Sequence, residues 1–297
     1  MSACDILVLG GDGMAGAAIA AAAERQGLAV ARASRRGQHP VDVLDEAGLL
    51  ALLETLDAPL IVNTVAIVSV PACEADPGEA WRVNARPAAI LAAHARRSGA
   101  RLVHVSTDHF YSGDGRALHD EQAPVTLLNE YARSKYAGEA LALTDPGALV
   151  LRTNILGLRS AGGASFCEWA LGVMTQDAPA TLFDDQFISA IDVWRFAEAT
   201  LELARSPARG VLNLAADAVY SKAELFFALA KALDLTTTQA RRGGVGAQGV
   251  PRPDSLGLDV SRAQGMLTRP LPKFPEVVDA LRTRILDERR HGHALEQ

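Results

Sequence analysis

Residues 5–24 read "DILVLGGDGMAGAAIAAAAE": an apolar run, a glycine-rich turn and an alanine-rich stretch. The run has the length and branched-chain content of a buried strand, and "GAAIAAAAERQG" behind it has the composition of a closely packed helix. Gly10, Gly13 and Gly16 lie between the two, with Met14 in the same turn. Glycines at such a junction allow a tight turn and bring backbone N–H groups and a helix N-terminus up to a pyrophosphate. Close strand-to-helix packing asks for the same residues, so the triplet does not decide by itself. Its place directly after the first strand favours a dinucleotide site.

Outward from this turn the same alternation continues: "LAVARAS" then "EAGLLALLETL", "LIVNTVA" then "GEAWRVNARPAAILAAHARRSG", "RLVHVST" then "NEYARSKYAGEALALT", and finally "ALVLRTNIL". Strands alternating with longer helical patterns predict an α/β fold, a Rossmann-like doubly wound parallel sheet with helices on both faces. Near Gly157 the pattern loosens into glycine- and proline-containing stretches, which marks a domain boundary. The expected division is a cofactor domain over 1–157, to which 188–216 returns through the helix "AIDVWRFAEATLELA" and the strand "RGVLNLA". Residues 158–187 and 217–297 then form a smaller C-terminal α/β substrate domain.

The chain has 297 residues, 49% hydrophobic and 22% charged, enough for a large core. A net charge of -6 argues against a nucleic-acid or anionic-membrane surface and points to small molecules or proteins as partners. Cys4, Cys73 and Cys167 share no metal or redox spacing, the pattern of a reduced, cytoplasmic protein. No apolar run approaches a membrane span, and the apolar start has no basic segment ahead of it. The histidines show no ligand spacing with one another or with cysteine, so no catalytic metal is expected.

After the second strand come Ser34, Arg35 and Arg36, where an NAD site commonly carries an acid for the ribose 2′-hydroxyl. Guanidinium groups suit a 2′-phosphate, so NADP(H) is favoured over NAD(H). Asp42 is a candidate for the adenine amine and Ala66, in "NTVA", for the cofactor wall.

The reacting groups are sought where strands end. Thr107 closes "RLVHVST", and Tyr131 follows 24 residues later, four positions ahead of Lys135. At that spacing Tyr131 and Lys135 share one helix face. A phenol titrates near pH ~10 and needs a cation beside it to exchange protons readily near neutrality.

Taken in order, "GGDGMAG", "NTVA", "ACEADPGEAWRVN", "STDHFYSGD", "YARSK", "LRTNILG", "DDQFISA" and "RPDSLGLD" resemble the extended short-chain dehydrogenase/reductases, and among them the dTDP-4-dehydrorhamnose reductase group. The matches run from residue 10 to about residue 259. The resemblance implies an NAD(P)H-dependent reductase of a nucleotide-linked 4-keto sugar, with Thr107 polarising the carbonyl and Tyr131 donating a proton. Lys135 would hold the nicotinamide ribose and lower the phenol pKa. It also implies a substrate lining of Asp108, His109, Asn154, Gln186 and Phe187, with Arg252 facing the diphosphate or standing as a surface arginine. Arg152 and Asn154 are not separable into structural and binding roles. The group commonly reads "STDYVFDG" where this chain has "STDHFYSGD", so the sugar stays open, as does a homodimer. Cys73 is expected to pack, not react. An epimerase or dehydratase of the same fold, or a non-catalytic regulatory subunit, would share much of the pattern. If Arg35 and Arg36 both touch a 2′-phosphate, at roughly 1.5–3 kcal/mol each, the double alanine variant loses NADPH affinity tens of times over and NADH affinity hardly changes. Cofactor titration that shows equal weakening toward both would remove the arginines from the site.

Overall fold

The structure, a computed structural model, describes residues 4–159, 165–244, 246 and 249–294. In chain order the first half runs β1 (Ile6–Leu9), α1 (Met14–Arg25), β2 (Val30–Ser34), β3 (His39–Pro40), α2 (Glu46–Leu56), β4 (Leu60–Asn63) and α3 (Val70–Ala75). It continues with α4 (Pro77–Asn84), α5 (Arg86–Ser98), β5 (Arg101–Val105), α6 (Glu130–Ala142) and β6 (Leu149–Arg152). The second half has β7 (Ile155–Leu156), α7 (Phe166–Gln176), β8 (Ala180–Phe183), β9 (Phe187–Ile188), β10 (Ile191–Asp192), α8 (Val193–Arg205) and β11 (Gly210–Asn213). It closes with β12 (Tyr220–Ser221), α9 (Lys222–Ala232), β13 (Ala240–Gly243), β14 (Ser255–Leu256), α10 (Ser261–Gln264) and α11 (Phe274–Ala294).

Seven parallel strands form the main sheet in the order β11-β6-β5-β4-β1-β2-β3. Alternate residues of each strand enter different cores, because side chains point to opposite faces of a pleated sheet and both faces here are covered. Leu7, Leu9, Ile61, Leu102 and Val150 pack with Leu49, Leu53 and Leu91 of α2 and α5. Ile6, Val8, Val62, Val103 and Leu149 pack with Ile19 of α1 and Phe196 of α8. The sheet is thus the doubly wound one expected. β1 lies between β2 and β4, so the winding reverses there and the strand C-termini open a crevice. A third core joins α7, α9 and α11 through Met174, Phe226, Leu229, Val277 and Leu281. Over it lie a three-stranded sheet, β12-β9-β14, and the pair β13-β8.

Two expectations about element limits change. The helical pattern over "GEAWRVNARPAAILAAHARRSG" is two helices that break at Ala85, because Pro87 has no N–H to carry the ladder across the junction. The stretch "ALVLRTNIL" is two strands. β6 ends at Arg152, the Asp108 N–H takes the Thr153 carbonyl at 3.1 Å, and β7 leaves the main sheet to pair with β10. Among the described residues no helix is long and apolar enough to cross a membrane. Cys4, Cys73 and Cys167 are free and buried.

Behind the end of β5, Arg152 and Glu139 form a buried ion pair at 2.8 Å, with side chains 5% and 2% exposed. Arg152 also donates to the Tyr111 hydroxyl at 2.7 Å, and Glu139 accepts from Ser106 at 2.6 Å. Every charge in this cluster has partners, which is the condition under which buried ions are tolerated. Arg152→Met is expected to cost about 3–5 kcal/mol in urea denaturation, since it strands the Glu139 carboxylate, and a second change, Glu139→Leu, is expected to recover most of that loss. A single-variant cost under about 1 kcal/mol would show that the pair does not hold β6 to α6.

Candidate active site

The glycine turn is built by close backbone approach. Gly10 has φ of 79°, in the left-handed region, and its carbonyl accepts the Gly13 N–H at 2.8 Å. A Cβ at Gly16 would overlap the Gly10 carbonyl, and one at Gly10 would stand 2.6 Å from the Thr64 hydroxyl. α1 starts on Gly13 with no side chain capping its first N–H groups. In front of the turn is a cavity of about 440 Å³. Gly10, Gly13, Met14, Ser34, Arg35, Asp42 and Ala66 all line it, together with Val65, Ile67 and Glu79. Gly16 lies beneath the turn as a packing residue, and Arg36 is outside the lining, with its backbone N–H on the Ser34 hydroxyl at 3.3 Å. Ser34 itself donates to the Asp12 carboxylate. Uncapped N–H groups, a glycine-rich turn and a guanidinium at the end of β2 fit a dinucleotide phosphate.

At the end of β5, burial pushes the Tyr131 phenol above its usual range, and the facing Thr107 hydroxyl pulls the other way. Thr107 accepts the His109 N–H at 3.3 Å. The Lys135 ammonium is buried and donates to the Val105 carbonyl at 2.7 Å. Burial lowers it to about 8, with Glu139 opposing. The Tyr131 ring packs among Val70, Cys73 and Ala80. Burial pushes the Cys73 thiol up to about 11, so its packing beside the phenol brings no thiolate with it.

Beyond the phenol, the His109 ring meets the Tyr131 ring edge-on, with centroids 5.3 Å apart. Burial, then Lys222 and Arg252, lower the imidazole to about 3, so it is neutral. Asn154 donates to Asp108 at 2.7 Å, and burial raises the Asp108 carboxyl to about 7 against that bond. Gln186 is fully buried and donates to the Pro253 carbonyl at 2.7 Å. The Phe187 ring carries the Arg116 guanidinium 4.6 Å from its centroid. Arg152, by contrast, is consumed by its ion pair.

Residues 4–285 match the family described as RmlD substrate binding domain. The chain belongs to this family. It is an oxidoreductase of the extended short-chain dehydrogenase/reductase type, related to the dTDP-4-dehydrorhamnose reductases. A dTDP-4-dehydrorhamnose reductase of Mycobacterium tuberculosis is 31% identical over 73% of this chain and 71% of its own. A probable low-salt glycan biosynthesis reductase of Haloferax volcanii is 26% identical over 94% of this chain and 98% of its own. The fold superimposes on dTDP-4-dehydrorhamnose reductase from Bacillus anthracis in complex with NADP, with TM-score 0.83 and 19% identity over 93% and 96% of the two chains.

Two residues of this RmlD-family site are not marked out as site residues by the sequence. Asn84 donates to the Ser134 hydroxyl at 2.9 Å and to the Ile67 carbonyl at 3.1 Å, and accepts the Ile67 N–H at 2.7 Å. It clamps the cavity wall to the helix of Tyr131, yet in "WRVN" it is an ordinary helical asparagine. Lys222 reads as a surface residue at a helix start and instead faces Asp108 and His109. The glycine geometry makes a further expectation: Gly16→Val must push the Gly10 carbonyl out of the turn. NADPH and NADH affinity should then fall together by at least tenfold in fluorescence titration, unlike the arginine variants. Unchanged binding of both would mean that the turn does not hold the cofactor.

Proposed function

We propose that this chain reduces the ketone of a nucleotide-linked 4-keto sugar at the end of β5, with NADPH as the favoured reductant and NADH as the lesser one. The observation that carries this reading is the setting of the Tyr131 phenol, which has the Thr107 hydroxyl facing it, the His109 ring edge-on against it and Ile67 of the glycine-lined cavity packed beside it. When bound, the reduced nicotinamide supplies a hydride. The chain's own work is to hold a protonated acid at the oxygen that hydride addition makes negative.

Burial favours that state. A phenol whose pKa is raised keeps its proton at neutral pH, which suits the reductive direction, where Tyr131 gives the proton to the forming alkoxide. Thr107 adds a hydrogen bond that strengthens as charge develops on the oxygen. Lys135, charged below about pH 8, would hold the nicotinamide ribose and afterwards help the phenolate recover its proton. Gly10, Gly13, Met14, Ser34, Arg35, Asp42 and Ala66 would line the cofactor, and Arg36 would approach only a 2′-phosphate that reaches beyond the cavity. Asp108, His109, Asn154, Gln186 and Phe187 would border the sugar, and Arg252 the diphosphate. In this reading the segments 158–187 and 217–297 form the substrate domain against a cofactor domain of 1–157 and 188–216.

Tyr131→Phe keeps the ring and its packing and removes the acid. Turnover of NADPH with a panel of nucleotide-linked keto sugars is expected to fall by on the order of a hundredfold or more, with cofactor affinity unchanged. Near-native turnover in that variant would move the acid role elsewhere. Absence of turnover by the unaltered protein with every keto sugar would count against the reductase reading itself.

A further inference from the structure

The three-stranded sheet β12-β9-β14 brings three distant parts of the chain to one edge. Ser221 and Ser255 both pair with Phe187. The residues next to that line, Lys222, Gln186 and Asp254, therefore meet at the same end. The Lys222 N–H takes the Gln186 carbonyl at 3.3 Å, and the Gln186 amide takes the Pro253 carbonyl at 2.7 Å. Asp254 accepts from Ser112 and from the Gly113 N–H, each at 2.8 Å, which ties the Arg252 segment to the loop that follows His109.

The polar groups at this edge are not paired with one another. Arg252 Nε, His109 Nδ1 and Gln186 Oε1 are buried and have no hydrogen-bond partner among the described residues. The Lys222 ammonium has no acceptor among them either. The Lys222 ammonium stands near a second cation, Arg252, and near one buried acid, Asp108, whose carboxyl already takes the Asn154 amide. Two partly buried cations with a single carboxyl near them are under-compensated, and an incoming oxyanion would relieve that cost and gain charge-assisted hydrogen bonds. Since His109 lies edge-on against Tyr131, the oxyanion would be held one side chain from the phenol.

We propose that Lys222, together with Arg252, binds an oxyanion of the substrate close to the ketone-bearing ring, either the sugar-bearing phosphate or an acid group on the sugar itself. The inference rests on the nucleotide-sugar reading and adds Lys222 to it as a specificity-determining residue. Burial and Arg252 bring the Lys222 ammonium down to about 8, so affinity for the anion falls as pH rises above 8, because binding must then take up a proton. Of the groups that face Lys222, His109 titrates near 3 and Arg252 stays charged, whereas Asp108, near 7, completes its ionisation between pH 7 and pH 9 and weakens anion binding in wild type and variant alike. Lys135 also titrates near 8, but it remains in a Lys222 variant and is removed by comparison.

The test is calorimetric titration of the wild-type chain and Lys222→Met with dTDP, UDP and UDP-glucuronate, at pH 7 and pH 9. A phosphate contact predicts at least tenfold weaker binding of all three by the variant at pH 7, with a loss of affinity from pH 7 to pH 9 that is larger in the wild type than in the variant. A contact with a sugar acid predicts that weakening for UDP-glucuronate alone. Lys222→Arg should bind within a few-fold of wild type, and at each pH NADPH affinity should be the same in wild type and variants. Lys222→Gln takes the place of the methionine variant if the latter does not fold. Equal affinity of wild type and variant for all three probes overturns the inference and leaves the reductase reading intact. Wild-type chain that binds NADPH but none of the three overturns both.

Discussion

Helix α6 reaches the site only because Gly138 has no side chain. A Cβ there would stand 2.5 Å from the Asn84 carbonyl oxygen, so α4 and α6 meet backbone to backbone. That approach lowers the rest of α6 onto the end of β5, where Lys135 finds the Val105 carbonyl and Tyr131 the Thr107 hydroxyl. The buried face of the helix is Tyr131, Ser134, Lys135, Gly138, Glu139 and Ala142, spaced as one helical stripe and mostly polar. Such a stripe stays buried because each polar member has a partner: Ser134 with Asn84, Lys135 with Val105, Glu139 with Arg152 and Ser106.

The electrostatics of the site follow from the same burial. Removal from water pushes the Tyr131 phenol up, the Lys135 ammonium down to about 8 and the Asp108 carboxyl up to about 7. Each shift favours the neutral form, as desolvation must, and Thr107, Glu139 and Asn154 partly oppose it. Behind the site Arg152 and Glu139 are both paired, whereas in front of it His109 Nδ1, Gln186 Oε1 and Arg252 Nε lack partners among the described residues. A protein carries that cost where the groups serve binding, and offsets it with the apolar cores on the two faces of the sheet.

The doubly wound sheet was legible in the sequence because its signals are local. Alternating β-rich and helical runs need only neighbouring residues to declare themselves, and the glycines at 10, 13 and 16 mark the first turn directly. One misread limit has a local cause, a proline that ended a helix inside a continuous amphipathic pattern, whereas the other does not, because β7 leaves the main sheet to pair with β10, 36 residues further on.

The sequence by itself determined the residue types at strand ends and their spacing: Thr107, then Tyr131 and Lys135 on one helix face, and a glycine turn after β1. Only the tertiary structure decided which polar residues are spent on holding the fold and which face the crevice. Arg152 and Asn154 are two positions apart, yet one is locked in an ion pair behind the site while the other holds Asp108. Asn84 and Lys222 stand at unremarkable helical positions and are brought to the site by a helix–helix contact and a three-stranded sheet. Partnership between buried polar groups depends on distances across the fold, and a residue's neighbours in sequence carry no record of it.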